Sequence, residues 1–157
     1  ANPSLSPQAL SMLSFALIAV GAPGCWLGGW LSQHLGSRRV AILGLAGSAI
    51  GCLLYPWMAP HAGFAALVVY LAAWSLLAVI DSPQFSALSA NACPATLVGS
   101  ALTLQNAIGF AISAVSIGLL VPRLPVLEAT IAWWLLPGPL LGLLALRRLG
   151  KTSRLNR

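Results

Sequence analysis

The chain has 157 residues, of which 59% are hydrophobic and 6% charged, and its formal net charge is +6. An average soluble protein is about 25% charged, so ten ionised side chains and a mean hydropathy of +0.90 exclude a water-covered globule. The basic balance does not indicate nucleic acid, because the arginines and lysine are few and sit beside apolar runs, where membrane topology uses them.

The sequence predicts an all-α membrane protein with five transmembrane helices, each near the ~20 residues that a hydrocarbon core requires. The first is expected over 9–31. It is longer than the apolar stretch of a signal peptide and has no basic leader, so a span is expected there instead. A polar break follows from Ser32 to Arg39, and the second span is expected over 40–58. Pro60-His61-Ala62-Gly63 reads as a turn. The third span is expected over 64–90, ending at Asn91-Ala92-Cys93-Pro94-Ala95. The fourth covers 97–121 and the fifth 126–146, separated by Pro122-Arg123-Leu124-Pro125. A basic tail, 147–157, closes the chain.

Five spans place the two ends on opposite sides. Arg38, Arg39, Arg147, Arg148, Lys151, Arg154 and Arg157 then share a side, and Arg123 stands alone on the other. The positive-inside rule puts the C-terminus in the cytoplasm and the N-terminus outside. Trp57 lies near a span end, as interfacial aromatics do, whereas Trp133 and Trp134 fall deeper, as packing or lipid-facing residues.

Three GxxxG pairs, Gly24/Gly28, Gly47/Gly51 and Gly138/Gly142, fall in three different spans and favour close helix packing. Pro23, Pro83 and Pro139 each remove a backbone hydrogen bond inside a span and should bend it. Cys25, Cys52 and Cys93 have no metal-ligand spacing and read as small packing residues. No phosphate loop, HExxH or GxSxG is present, so neither an enzyme nor a cofactor is expected. His34 and His61 fall at opposite membrane faces in this topology and cannot share a site.

The break from Gly29 to Arg38 resembles the loop signature of the major facilitator superfamily, G-x-x-x-D-R-x-G-R-R. Gly29, Gly36 and Arg38 match it. Gln33 stands where that family has Asp, His34 where it has Arg, and Ser37 where it has the first Arg of the closing pair. The stretches Asp81–Leu88 and Gly99–Phe110 are similar to its tenth and eleventh helices in bacterial members. The resemblance covers nearly the whole chain and implies helices eight to twelve of a twelve-helix secondary transporter. By that reading the chain, 1–157, is part of a C-terminal transmembrane domain in a bacterial inner membrane, working by alternating access. The remaining N-terminal helices would be its partner, with the lipid bilayer and a small-molecule substrate. The other reading is a small membrane scaffold or subunit that carries nothing.

The resemblance also implies a cytoplasmic gate of Gly29, Gln33, Gly36, Arg38, Arg39 and Asn91. Gly29 would allow close helix contact, Gly36 a tight turn with positive φ, and Gln33 a bond to free N–H groups at the start of the fourth span. Arg38 or Arg39 would need a carboxylate or carbonyl partner, and Asn91 stands where many members carry Glu. The alternative is a glycine turn with arginines that only set topology.

Asp81 is the one acid before Val121. If the third helix reaches Ala90, Asp81 lies roughly 13 Å in from its end, where an ionisable group is functional by default. It could then bind a cationic group or carry a coupling proton. If that helix stops at Pro83, Asp81 is interfacial. Thr103, Asn106, Phe110, Ser113 and Ser116 fall on one face of the fourth span. Asn106 and the neighbouring Gln105 are substrate candidates, while the hydroxyls also suit interhelical bonding. Tyr70 and Trp74, four apart, read as a wall of the site or as core. Glu128, opening the last span, suits the positive end of a helix dipole.

Overall fold

The computed structural model describes residues 6–155, and for 149–155 the backbone alone. Among the described residues the fold is helical throughout, with no strand. Helices α1 (Pro7–Ala19) and α2 (Gly21–Leu35) form one run, followed by α3 (Ser37–His61). A second broken run joins α4 (Phe64–Val79) to α5 (Ser82–Ala92). The remainder is α6 (Val98–Leu120), a single turn α7 (Leu124–Leu127), α8 (Ile131–Leu135) and α9 (Pro137–Leu155), with 3-10 turns at Val121–Arg123 and Glu128–Thr130.

Four helical runs are long and apolar enough to cross a membrane: Pro7–Leu35, Ser37–His61, Phe64–Ala92 and Val98–Arg148. They mark the chain as a membrane protein. Where five separate spans were expected, four continuous helical runs are present, because the segment 122–125 does not interrupt the last of them. Pro122 and Pro125 both stand in the first turn of a short helix, where a missing N–H costs nothing. The fourth run has 51 residues, about 76 Å if straight, and it is not straight. The chain turns between Val121 and Thr130, and Glu128 takes φ 44° and ψ −126°. Glu128 therefore opens a 3-10 turn rather than a regular helix, which corrects its expected place in the first turn of a span.

The turn of α3 into α4 is also shorter than expected. Helix α3 continues through Pro56 and Pro60 to His61, leaving Ala62 and Gly63 as the connection. Most of the expected basic tail is helical, since α9 runs to Leu155; residues 156 and 157 lie outside the described residues.

Three breaks share one cause. The helices are interrupted by one- or two-residue turns at Val20, at Ile80–Asp81 and at Leu136, all with right-handed α dihedrals, and each break is followed within three residues by a proline in the next helix: Pro23, Pro83 and Pro137 with Pro139. Proline lacks the N–H that would bond the residue four back, and its ring crowds that carbonyl. An interruption of the helix thus accompanies each proline at which a bend was expected.

Helix α3 is the axis of the bundle. Its buried residues Val40, Ala41, Gly44, Leu45, Ala49, Gly51 and Cys52 recur at three- and four-residue steps along one face. Helices α4 and α5 run antiparallel to it, with Trp74 against Gly51, Leu77 against Gly47 and Ile80 against Gly44. Helix α9 also runs antiparallel to α3, since Gly142 meets Leu45 and the carbonyl of Leu146 meets Arg38. Leu146, Ala41 and Leu45 form the buried apolar cluster there. Gly24 and Gly28 of α2 approach the backbone of α4 at Leu76 and Ile80. Two of the three expected GxxxG pairs thus sit at helix contacts. The third is divided: Gly142 touches Leu45, while a methyl group at Gly138 would meet nothing. Helix α6 packs against α5 and otherwise presents exposed apolar side chains such as Phe110, Ile112 and Leu104.

Candidate functional site

Beyond the break at Asp81, α5 faces α6. Ser89 of α5 donates a hydrogen bond to Gln105 Oε1 of α6. Toward the middle of the bundle the two helices diverge, and an open cavity of about 910 Å³ lies between them. Its polar groups are Ser82 and Ser86 on α5, Gln105, Asn106 and Ser113 on α6, and Cys25 on α2. Phe85 and Phe110 supply aromatic surface, and Gly138 of α9 closes one side without a side chain. No charged residue is among those lining it. Such a surface can bind an uncharged solute with hydrogen-bonding groups on an apolar frame.

The expected site residues do not converge. Gln105 and Asn106 line this cavity together with Phe110 and Ser113. Thr103 instead donates to the Gly99 carbonyl at 2.9 Å, and Ser116 lies at a separate small cavity beside Arg123 and Trp134. Tyr70 and Trp74 do not line the large cavity. Gly47 and Gly51 draw that face of α4 onto α3, where Tyr55, Tyr70 and Trp74 form a cluster with ring centres 5.7–6.5 Å apart. Tyr70 donates its hydroxyl to the Gly51 carbonyl at 2.5 Å, beside a cavity of about 110 Å³.

Asp81 lies in neither cavity. The run that carries it reaches Ala92, so it sits eleven residues, about 16 Å, inside the end of that run. It is 8% exposed and packs against Gly44, whose added methyl group would stand 3.0 Å from the Asp81 Cβ. The interfacial alternative required the helical run to stop at Pro83, and it does not.

The residues of the expected gate are placed unevenly. Gly36 is the single residue between α2 and α3 and has φ 82°, the left-handed geometry expected of it. Arg38 finds a carbonyl partner: its Nη2 and Nε donate to the Leu146 carbonyl at 2.9 and 3.3 Å. A methyl group at Gly29 would meet no neighbouring helix, because Gly28 and Gly24 hold the face turned toward α4. Gln33 is exposed, and the first turn of α6 receives no side-chain cap. The physical reason is that α2 stays helical through Leu35, so Gln33 projects from a helix instead of a loop. His34 there bonds the Trp30 carbonyl, and its ring lies tilted against the Trp30 ring with centres 4.8 Å apart. Arg39 and Asn91 are exposed at their helix ends.

Several residues of the site were not singled out from the sequence. Ser82, Ser86 and Ser89 lie at three- and four-residue spacing on α5, a periodicity that could have placed them on one face. Gln84, one of the largest fully buried side chains, follows Asp81 by three, the spacing of a capping pair. Tyr55 carried no local signal. The chain matches no known protein family, no curated protein and no solved structure.

Proposed function

We propose that this chain is part of a secondary transporter of the major facilitator type, which carries a small uncharged solute across a bacterial inner membrane. The observation that carries the reading is the cavity of about 910 Å³ between α5 and α6, lined by uncharged polar and aromatic groups in an otherwise apolar chain. Gln105, Asn106 and Ser113 would hold the polar groups of the solute, and Phe85 and Phe110 its apolar face. The direction of helices along α3 supports two crossings by the run Val98–Arg148, which gives five passes with the N-terminus outside and the basic end in the cytoplasm. The proline breaks at Val20, Ile80–Asp81 and Leu136 supply hinges for alternating access around such a site. Asp81, buried beside the middle break, is the residue assigned to coupling.

Helix α6 favours further helices as partners. It is apolar, packs mainly on α5, and leaves Asn106 and Ser113 exposed. In this reading the N-terminal helices of the same transporter cover that face and complete the cavity. The reading assigns the protein no catalytic role.

Cys25 offers the test. It is exposed at the cavity, Cys52 is buried and Cys93 is remote from it. In the intact transporter in lipid vesicles, a transported solute should slow maleimide labelling of Cys25 but not of Cys93. Asn106→Ala should weaken both uptake and that protection about tenfold, the loss of one good hydrogen bond in a dry site. Uptake that proceeds with Cys25 unprotected would reject the cavity as the path. No uptake of any solute together with stable association to another membrane protein would favour the scaffold reading.

A further inference from the structure

The α4–α5 break holds a polar arrangement that the cavity does not use. Asp81 and Gln84 are its members, 8% and 1% exposed. Standing three apart on one helix end, they have Cβ atoms about 5–6 Å from each other. Asp81-Ser82-Pro83-Gln84 has the spacing of a capping box, in which the first side chain accepts from the fourth residue's N–H and the fourth reaches back. The structure does not form it. Asp81 has helical dihedrals, φ −83° and ψ −23°, where a cap is extended, and its side chain makes no cap bond. The Gln84 N–H goes to the Asp81 backbone carbonyl instead, at 2.9 Å.

Both side chains are therefore left with acceptor capacity in a buried place. Gln84 Oε1 is fully buried and has no hydrogen-bond partner. A third oxygen belongs to Val79, whose helical partner four residues on is Pro83, which has no N–H. Acceptors cannot satisfy one another, and a carboxylate at this depth is costly unless compensated. From α2 and α3 the break meets Gly28 and Gly44, which have no side chain. The basic groups of those helices are elsewhere: Arg38 at the Leu146 carbonyl, Arg39 exposed, and His34 at the Trp30 carbonyl.

We propose that the α4–α5 break is a sodium site, with the Asp81 carboxylate, Gln84 Oε1 and the Val79 carbonyl as its oxygen ligands. Hard cations take carboxylate and carbonyl oxygens, and carbonyls freed where a membrane helix is broken coordinate Na⁺. One carboxylate among neutral oxygens balances one positive charge, which selects a monovalent ion over a divalent one inside the membrane. The close approach of Gly28 and Gly44 leaves no room for a long basic side chain to take the ion's place.

The inference does not rest on transport, since an ion can bind a bundle that carries nothing. The test is thermal melting of the purified chain in detergent, with NaCl, KCl, CaCl₂ or choline chloride at equal ionic strength. Sodium should raise the midpoint saturably, on the order of 5 °C at a hundredfold excess over Kd, and choline should not. Gln84→Leu removes the orphan oxygen at similar volume. It should abolish the sodium shift while melting no lower than the parent in choline. Asp81→Asn should also abolish the shift. Equal midpoints in sodium and choline overturn the proposal, whatever the variants do. So does a response to calcium alone, or a sodium shift that survives Gln84→Leu.

Discussion

Gly28 and Ile80 stand so close that a methyl group on Gly28 would lie 2.6 Å from the Ile80 carbonyl oxygen. That oxygen belongs to backbone, at a break already short of hydrogen bonds, and cannot swing aside as a side-chain end would. Gly28→Ala should therefore push α2 from α4 and destabilise the bundle by about 1–3 kcal/mol, the range for overpacking. The neighbouring Gly29→Ala meets open space. It should leave stability equal or raise it by about 0.5–1 kcal/mol through the helix preference of alanine. Melting of the two variants side by side checks the contrast; equal losses would show that the α2–α4 contact is not set by Gly28.

Tyr70 ties α4 to α3 through its hydroxyl on the Gly51 carbonyl. Tyr70→Phe keeps the ring against Tyr55 and Trp74 and removes that bond alone. The Gly51 carbonyl still has the amide four residues on within α3. The expected loss is about 0.6–1.5 kcal/mol, as for other hydrogen bonds between membrane helices. A thermal shift in detergent measures it, and uptake by the intact transporter should be unchanged because the residue is away from the large cavity.

Arg38 fastens the middle of α9, at Leu146, to the start of α3. Arg38→Ala should loosen that contact, and trypsin should then cut faster at Arg147 and Arg148. Arg38→Lys should restore only part of the protection, since a single ammonium cannot reproduce two N–H bonds from one planar fork. The rate of tryptic cleavage of the folded chain, followed by mass, is the measurement. Unchanged cleavage in Arg38→Ala would show that α9 is held by the Leu45–Leu146 cluster without help.

Glu128 has φ 44° with a side chain attached. A non-glycine residue in such a region carries about 1–3 kcal/mol of strain, and glycine has little. Glu128→Gly should therefore stabilise the fold by about 1 kcal/mol, a rise of roughly 2–4 °C in the melting midpoint. Glu128→Ala removes the charge but keeps the strained backbone and should give no such rise.

Much of the fold was legible because apolar length and proline chemistry are local. The first three helical runs begin and end within a few residues of the expected spans, and every proline named as a bend follows a break. The stop expected before the fifth span was misread for an equally local reason: Pro122 and Pro125 read as stops, yet each fits the first turn of a short helix. The site was less legible. Gln105 and Asn106 could be placed on the cavity side because polar residues on an apolar helix stand out. Tyr70 and Trp74 could not be sorted between wall and core, since the answer lay in Gly47 and Gly51 one helix away. The same holds for Arg38, whose partner Leu146 is 108 positions distant and offers a backbone carbonyl that no side-chain pattern announces.

Gly36 alone separates Leu35 from Ser37. A one-residue joint transmits rotation as well as position. Inserting a single residue there would turn α3 about its axis by about 100° relative to α2. The stripe that holds Val40, Ala41, Gly44 and Leu45 would then sweep out of the bundle, and Leu43 and Ile50, now exposed, would swing toward it. The length of this joint acts as a phase setting for the whole assembly, so that a change of one residue is felt at Trp74 and at Leu146 alike.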